Sequence, residues 1–231
     1  MKTKLGIALI VAGCLLVTCG LGLVVYNDRE QRQAGEAVNA VMPQVAEAIK
    51  DRQQAQKETI PLPPLKNESQ DTPEPDDTME PAPPVPTEPE AAPLPVVKEM
   101  PVVEIDGYGY IGFVGIPSQQ KELPVMADWS YPKLKLSPCH FTGSMYTDDL
   151  VIMAHNYSHH FGTLQNLRTG DLITFTDMDG HTIRYEVVAL DILEPSAVEE
   201  MTAGEFDLTL FTCTYGGKSR VTVRCDRLQS N

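Results

Sequence analysis

The chain has 231 residues, a formal net charge of −14 and a sequence pI of about 4.7. This acidic balance argues against nucleic acid as a partner, because proteins bind a polyanion through clustered lysine and arginine. The five cysteines include no CxxC pair, which argues against structural zinc sites and thioredoxin-like chemistry.

The N-terminal region is predicted to be a transmembrane anchor. Leu5–Tyr26 contains no charged residue, and as a helix it would be about 33 Å long, enough to cross a hydrocarbon core of about 30 Å. Lys2 and Lys4 precede it, so the positive-inside rule places residues 1–4 in the cytoplasm and the rest of the chain outside. We therefore expect a single-pass protein of the cell membrane, with its globular part extracytoplasmic.

A cleaved lipoprotein signal is the alternative for this region. Val11-Ala12-Gly13-Cys14 is similar to the lipidation site of bacterial lipoproteins. The apolar run continues well beyond Cys14, however, and a removed signal does not require that. The uncleaved anchor is therefore the favoured interpretation.

Residues 27–58 are predicted to be a juxtamembrane helical stalk. Apolar side chains recur at helical spacing within Glu30–Lys57, namely Val38, Val41, Met42, Val45 and Ile49. Pro43 lies inside this pattern and is predicted to kink or interrupt the helix. The alternative role for the apolar stripe is dimerisation.

Residues 59–101 are predicted to be a disordered linker. Pro61–Pro101 holds 13 of the 19 prolines, mixed with acidic residues and threonine. Such a composition does not bury a core, and it favours polyproline-like extended chain. At about 3.1 Å per residue this linker would reach on the order of 100 Å.

Residues 102–231 are predicted to be one all-β domain with short helices. Period-2 alternation and short apolar runs predict strands at Tyr110–Ile116, Leu150–Ala154, Leu172–Thr176, Thr182–Leu190, Leu208–Cys213 and Arg220–Arg224, with a short apolar piece at Leu123–Val125. Phe161–Leu167 and Ser196–Ala203 are predicted to form short helical pieces. Within Thr182–Leu190, the side chains predicted to face inward are Ile183, Tyr185, Val187 and Ala189. This pattern is typical of a β-barrel or sandwich.

The last two predicted strands carry the candidate chemistry. Cys213 ends one strand, and Arg220 begins the next after the glycine-containing turn Tyr215–Ser219. A thiol of reference pKa about 8.5 needs activation to act as a nucleophile, and a nearby cation lowers its pKa. The same cation can stabilise negative charge on an acyl oxygen. The simpler interpretation of Cys213 is a small buried apolar side chain.

His155 is the candidate acid–base because it directly follows the apolar strand and has a reference pKa near 6.5. Four other histidines compete with it, namely His140, His159, His160 and His181. Arg224 and Arg227 compete with Arg220, and alternation does not separate Arg220 from Arg224, since both share one strand face.

Three separated motifs surround these candidate residues, namely Thr209-Leu-Phe-Thr-Cys213, Arg220-x-x-Val-Arg, and the apolar strand Val151–His155, which ends in an Ala-His dipeptide. They resemble the TLxTC signature, the start of the arginine strand and the Ala-His dipeptide of sortases, the cysteine transpeptidases of Gram-positive cell surfaces. The resemblance covers Tyr110–Leu228, and it selects Arg220 over Arg224.

The resemblance implies a closed, mostly antiparallel β-barrel of about eight strands. It also implies that Cys213 attacks a sorting signal of the LPxTG type in surface proteins and forms a thioacyl intermediate. His155 would protonate the leaving amine and deprotonate the incoming one, and Arg220 would position the peptide and stabilise the oxyanion. The acceptor would be an amine of a peptidoglycan precursor or of a pilin lysine.

Several alternatives stay open at this stage. A non-catalytic extracytoplasmic barrel that binds peptides would leave Cys213 inert. An L,D-transpeptidase is disfavoured, since the chain lacks that family's SxGC-type motif. The Asp-Pro-aromatic lid of pilin sortases is not found, so the class within the family stays open. We predict no cofactor and no metal cluster, with calcium bound by scattered carboxylates as an alternative. Cys139 and Cys225 are either bridged or free.

Overall fold

The computed structural model describes residues 2–58 and 98–229 of the chain. These segments contain three α-helices, two short 3-10 helices and nine strands. The helices are α1 (Lys2–Glu58), α2 (Tyr131–Leu134) and α3 (Val198–Met201). The strands are β1 (Val103–Ile105), β2 (Tyr108–Ile116), β3 (Lys121–Met126), β4 (Cys139–Thr142), β5 (Leu150–Met153), β6 (Leu172–Asp177), β7 (Thr182–Leu193), β8 (Leu208–Cys213) and β9 (Arg220–Arg227). Most of the predicted linker, residues 59–97, lies outside the described residues.

Eight of these strands close into a barrel, which confirms the predicted fold class. The order around the ring is β2, β3, β4, β5, β8, β9, β7 and β6, and β6 pairs back onto β2. Two of the pairings, β3 with β4 and β5 with β8, are parallel, and the others are antiparallel. β1 pairs with β2 outside the ring. Closure leaves few exposed strand edges.

The interior of the barrel is apolar, as the alternating strands predict. Its fully buried side chains include Val114, Ile116, Val125, Leu150, Ile152, Ile173, Phe175, Leu208, Leu210 and Val223. On β7, Ile183, Tyr185 and Val187 are buried as predicted. A bulge between Val187 and Ala189 then shifts the register, so Ala189 is only half-buried.

Some predicted elements differ from the structure. Leu123–Val125, predicted only as a short apolar piece, lies in the strand β3. The first strand is β1 rather than Tyr110–Ile116, and β4 was not predicted at all. Both are three or four residues long, too short to show a period. Phe161–Leu167 contains a 3-10 helix of three residues, Leu164–Asn166, instead of a full helical piece.

The helix α1 runs without interruption from the apolar N-terminus to the side of the barrel. By length and composition only, its N-terminal part is able to cross a membrane. The helix continues through Pro43, so the predicted interruption is wrong. Side chains on both sides of this proline, Val38 and Val45, are buried against the barrel, and this packing stabilises the helix on either side of it.

The apolar stripe of α1 packs on the barrel of the same chain. Ala34 and Val45 are fully buried, and Val38 and Ile49 are nearly so, against β1, β2 and β3. At the far end of the helix, Arg52 donates hydrogen bonds to Asp179 at 2.8 and 2.6 Å. The stripe is therefore an intramolecular contact, and the alternative of a dimerising surface loses its support.

Candidate functional site

The ends of β5 and β8 bring His155 and Cys213 to one end of the barrel. The two strands are parallel neighbours, with Met153 in register with Phe211. Parallel neighbours end at the same edge of a sheet. The residues that follow β5 therefore lie beside the last residue of β8.

Two hydrogen bonds tie these strand ends together. The Thr212 hydroxyl donates to the Ala154 carbonyl at 2.8 Å, and the Asn156 side-chain amide donates to the Thr214 carbonyl at 3.4 Å. The bonded residues flank the candidate histidine on one segment and the candidate cysteine on the other. The two segments that carry these side chains are thus held side by side.

Arg220 lies opposite Cys213 on the neighbouring strand β9. The connecting turn is closed by the Thr214 N–H, which donates to the Ser219 carbonyl at 2.9 Å. Gly216 and Gly217 have φ values of 82° and 73° in this turn. That left-handed conformation is unfavourable for residues with a Cβ, so the turn depends on its two glycines.

The Arg220 guanidinium rests on this turn. Its Nη1 donates to the carbonyls of Gly217 and Ser219, each at 3.2 Å. A guanidinium also carries donors on Nε and Nη2, and the two contacts use only Nη1. The group is therefore fixed at the base of the turn while it retains donors for a ligand.

One cavity of about 320 Å³ is lined by all three sequence-predicted residues, Cys213, His155 and Arg220. Its remaining walls are mostly apolar, formed by Trp129, Tyr131, Leu134, Phe141, Met153, Ala154, Pro195, Val198, Met201, Phe211 and Thr212. Most of these wall residues were not predicted from the sequence, because they come from segments that are far apart in the chain. The arrangement combines a thiol, an imidazole and a guanidinium in an apolar groove.

A larger cavity, of about 610 Å³, lies between α1 and the barrel, away from Cys213. It is lined in part by Gly35, Met42, Glu122 and Thr174. No catalytic role is assigned to this cavity, because Cys213, the candidate nucleophile, does not line it.

His155 is half-buried beneath an aromatic ring. The ring centroids of His155 and Tyr157 are 4.9 Å apart, with an interplanar angle of 34°. Burial lowers the pKa of His155, the positive charge of Lys135 lowers it further, and Glu30 opposes both effects. The imidazole is therefore mostly neutral at pH 7 and able to accept a proton.

A half-buried lysine fixes the loop that follows His155. The Lys121 ammonium donates to the carbonyls of Ser158 and His160 at 2.7 and 2.8 Å, and to the Thr163 hydroxyl at 2.7 Å. Burial lowers the pKa of this ammonium to about 8. Nothing in the sequence around Lys121, which precedes this loop by more than 30 residues, indicated this role.

The helix α1 contacts the same loop. Tyr157 donates its hydroxyl to Glu30 at 3.1 Å, and the Ser158 N–H donates to Gln31 at 3.2 Å. Glu30 also forms an ion pair with Lys135 at 3.0 Å. The residues just outside the apolar segment of α1 therefore lie next to the histidine loop.

Arg224 has a structural role rather than a place in the groove. It is almost fully buried and donates to the carbonyls of Glu200 and Met201 at 2.7 and 3.0 Å. It also donates to the Thr209 hydroxyl at 3.2 Å. These bonds satisfy carbonyls at the end of α3 and attach that helix to β8 and β9.

Cys139 and Cys225 are free thiols, so the alternative of a bridge between them is wrong. They lie on β4 and β9, which are separated in the barrel by β5 and β8. Both are fully buried, and burial raises the pKa of Cys139 to about 12 and that of Cys225 still further. Both thiols are therefore expected to be inert.

Because Cys213 is only half-buried whereas Cys139 and Cys225 are fully buried, we predict that alkylation selects Cys213. Full-length protein in detergent, treated briefly with iodoacetamide at pH 7.5, should be modified at Cys213 and stay unmodified at Cys139 and Cys225. Peptide mapping by mass spectrometry gives the extent at each site, and the same reaction in denaturant should label all three. Equal labelling of the three thiols in the folded protein would contradict their described burial.

Asp177, Asp179 and His181 form a trio of metal-type side chains in the β6–β7 turn. Arg52 already binds Asp179, while Asp177 accepts hydrogen bonds from the Tyr146 hydroxyl and from the Asp179 and His181 N–H groups. Because protein donors occupy these carboxylates, we assign no ion to this turn. It also lies outside the groove.

Comparison with known proteins gives a consistent result. Residues 114–228 match the family model of the Sortase domain. Among solved structures, sortase C1 from Streptococcus suis is 29% identical, with 53% of this chain and 74% of that chain covered and a TM-score of 0.46. Sortase C1 from Streptococcus agalactiae is 26% identical, with 55% and 72% covered and a TM-score of 0.48.

A lid mutant of sortase A from Corynebacterium diphtheriae is 24% identical, with 52% of this chain and 71% of that chain covered and a TM-score of 0.46. A comparison with curated protein sequences gave no match. The domain match, together with the closed eight-stranded barrel, shows that this chain belongs to the sortase family.

Proposed function

We propose that this chain is a membrane-anchored cysteine transpeptidase that cleaves a sorting signal of the LPxTG type and joins the product to an amine. The observation that carries the proposal is the single cavity lined by Cys213, His155 and Arg220. Membership of the sortase family supports the reaction class. The substrates are surface proteins with a C-terminal sorting signal, and the acceptor is an amine of a peptidoglycan precursor or a pilin.

The reaction begins at the thiol. The Cys213 sulfur attacks the scissile carbonyl carbon, while neutral His155 accepts the thiol proton. The C–N bond then breaks, and the imidazolium gives that proton to the leaving amine. A thioester remains on Cys213. The incoming amine attacks this thioester, gives a proton to His155 and forms a new amide, and the proton returns to the sulfur.

Arg220 stabilises the negative charge that develops on the carbonyl oxygen. Its position opposite Cys213 on β9 brings the guanidinium to the same groove as the sulfur. A positioned cation in an apolar, poorly hydrated site stabilises such charge more strongly than it would in water. Removal of one oxyanion donor typically costs about a hundredfold to a thousandfold in rate.

The apolar walls of the groove suit the leucine and proline of the proposed signal. Phe141 packs edge-to-face on Phe211 with centroids 5.4 Å apart, and Trp129 lies 6.2 Å from Phe141. Aromatic side chains that are already packed offer rigid apolar area at little entropic cost. The part of this wall formed by Phe141 and Phe211 is where we place the apolar residues of the peptide.

The chain's organisation follows from the same proposal. Residues 5–26 anchor the protein in the cell membrane with residues 1–4 in the cytoplasm, and residues 27–58 form the helix that leads to the barrel. Residues 59–101 are the linker, and residues 102–231 are the extracytoplasmic catalytic domain. The apolar composition of the first segment and the family membership support this arrangement.

The pH dependence of catalysis should respond to Lys135. If neutral His155 is the base, the acid limb of kcat/KM follows the His155 pKa of the free enzyme, which lies below its usual value. Lys135→Met removes a cation that lowers this pKa and also frees Glu30, which raises it. Both effects raise the pKa of His155, so the acid limb of kcat/KM should move to higher pH.

Lys133→Met is the matched control for this experiment. Lys133 is paired with Asp128 at 2.5 Å and is not among the causes of the His155 shift. The acid limb of this variant should therefore coincide with that of the unmodified protein. A Lys135→Met limb that moves to lower pH would contradict the assignment of His155 as the base.

The activity is tested directly with peptides and an amine. Full-length protein in detergent is incubated with a set of LPxTG-type peptides and with triglycine, and the products are identified by mass spectrometry. We expect peptides truncated after the threonine that carry the triglycine. Peptide binding without cleavage would overturn the proposal and identify a peptide-binding module instead.

A further inference from the structure

The direction of α1 relates the barrel to the membrane. One continuous helix contains both the apolar segment and the segment that packs on the barrel. The apolar part is not buried inside the molecule, whereas Ala34, Val38, Val45 and Ile49 are buried against the barrel. Because no break separates the two parts, the orientation of the barrel follows from that of the apolar part.

The active-site end of the barrel is the end nearer to the apolar segment. Glu30 and Gln31 contact the loop after His155, while Arg52 and Gln53 contact the β6–β7 turn. The two sets of contacts are about 33 Å apart along the helix at 1.5 Å per residue. Followed toward its N-terminus, the helix therefore leaves the barrel beside the His155 loop.

Little distance separates this end of the barrel from the predicted span. The apolar segment ends at Tyr26, and Tyr26 donates its hydroxyl to Glu30 at 2.9 Å. Four residues of helix rise by about 6 Å. An interface region of the bilayer begins where the hydrocarbon core ends, so Glu30 and the histidine loop lie close to headgroup depth.

Exposed aromatic side chains are concentrated at the same end. Tyr131 is 74% exposed and Trp129 is 42% exposed, with ring centroids 6.1 Å apart. Both line the same groove as Cys213 and His155, and Lys135, four residues after Tyr131, binds Glu30. Tyr215, two residues after Cys213, is 98% exposed. Single exposed aromatics are ordinary, but Trp and Tyr grouped beside a membrane span are typical of interfacial contacts.

We propose that the rim formed by Trp129, Tyr131 and Tyr215 rests in the headgroup region of the membrane that α1 spans, so that the active-site groove opens at the bilayer surface. The proposal rests on the membrane anchoring put forward above and not on the chemistry of Cys213. The groove then receives peptide segments that lie close to the membrane, and it is turned away from segments far out in the wall.

The sole tryptophan of the chain allows a direct test. Full-length protein is reconstituted in vesicles of phosphatidylcholine and phosphatidylglycerol, with a nitroxide either on the headgroup or at the end of an acyl chain. Since interfacial tryptophan lies at headgroup depth, we expect about a twofold loss of Trp129 emission with the headgroup nitroxide. The acyl-end nitroxide should have a much weaker effect.

A relocated tryptophan is the matched control. Asp51 is exposed on α1, about 30 Å along the helix from Glu30. Asp51→Trp in a Trp129→Phe background should show little quenching by either lipid. Equal emission loss for Trp129 and for this control would overturn the proposal. Circular dichroism verifies that both proteins are folded, and the readout needs no substrate, so its failure is distinct from a failure of transpeptidation.

Discussion

Replacement of Cys213 by alanine should lower kcat/KM for a sorting peptide by at least about a thousandfold, because no other group in the groove can form the acyl intermediate. Cys213 is half-buried at the end of β8, so its loss should leave the thermal midpoint nearly unchanged. Initial rates by chromatography and a melting curve from circular dichroism give the two quantities. A variant that keeps more than about a tenth of the activity would refute the role of the thiol.

Cys139→Ala is the matched control for the loss of a thiol. Cys139 is fully buried on β4 and does not line the groove, so its truncation leaves a small cavity in the core. We expect a loss of about 1 kcal/mol in the free energy of unfolding and little change in kcat/KM. The pair of variants therefore separates a chemical effect from a packing effect.

The second large effect is expected when the docked helix is removed. Val38, Val45 and Ile49 bury their side chains against the barrel, and each fully buried aliphatic side chain contributes about 1.5–3 kcal/mol before entropic costs. A protein of residues 98–231 should therefore be less stable than one of residues 27–231 by about 4 kcal/mol, or roughly 10 °C in melting temperature. Thermal unfolding followed by circular dichroism compares the two.

Two point variants test the same contact without truncation. Val45→Asp places a carboxylate in the buried contact, whereas Ala40→Asp adds the same charge on the exposed face of α1. The first should cost several times more stability than the second, which should stay within about 0.5 kcal/mol of the unmodified protein. If the two variants have the same melting temperature, α1 does not pack on the barrel as described.

The barrel strands were predictable where they are long enough to show a pattern. β6, β7, β8 and β9 alternate over six or more residues, and the structure has strands at all four predicted places. β1 and β4 have three and four residues and no readable period. The helical stripe of α1 was also visible, but periodicity shows only that a face is buried and not which surface buries it.

The candidate site was likewise predictable from the sequence only in part. Cys213, His155 and Arg220 stood out because each lies at the end or start of a predicted strand and belongs to a recognisable motif. Trp129 lines the groove from a segment without such a motif. Lys121 contacts the histidine loop across more than 30 residues of sequence. Such contacts depend on the closure of the barrel, which local patterns do not encode.

The central claim is that the sulfur of Cys213 becomes acylated by the peptide. Full-length protein is mixed with a sorting peptide in the absence of an acceptor amine, quenched in acid within seconds and measured by intact-mass spectrometry and peptide mapping. We predict an added mass equal to the N-terminal part of the peptide minus water, located on Cys213 and removed by hydroxylamine. Product formation with no such adduct, or with the adduct on another residue, would contradict the account.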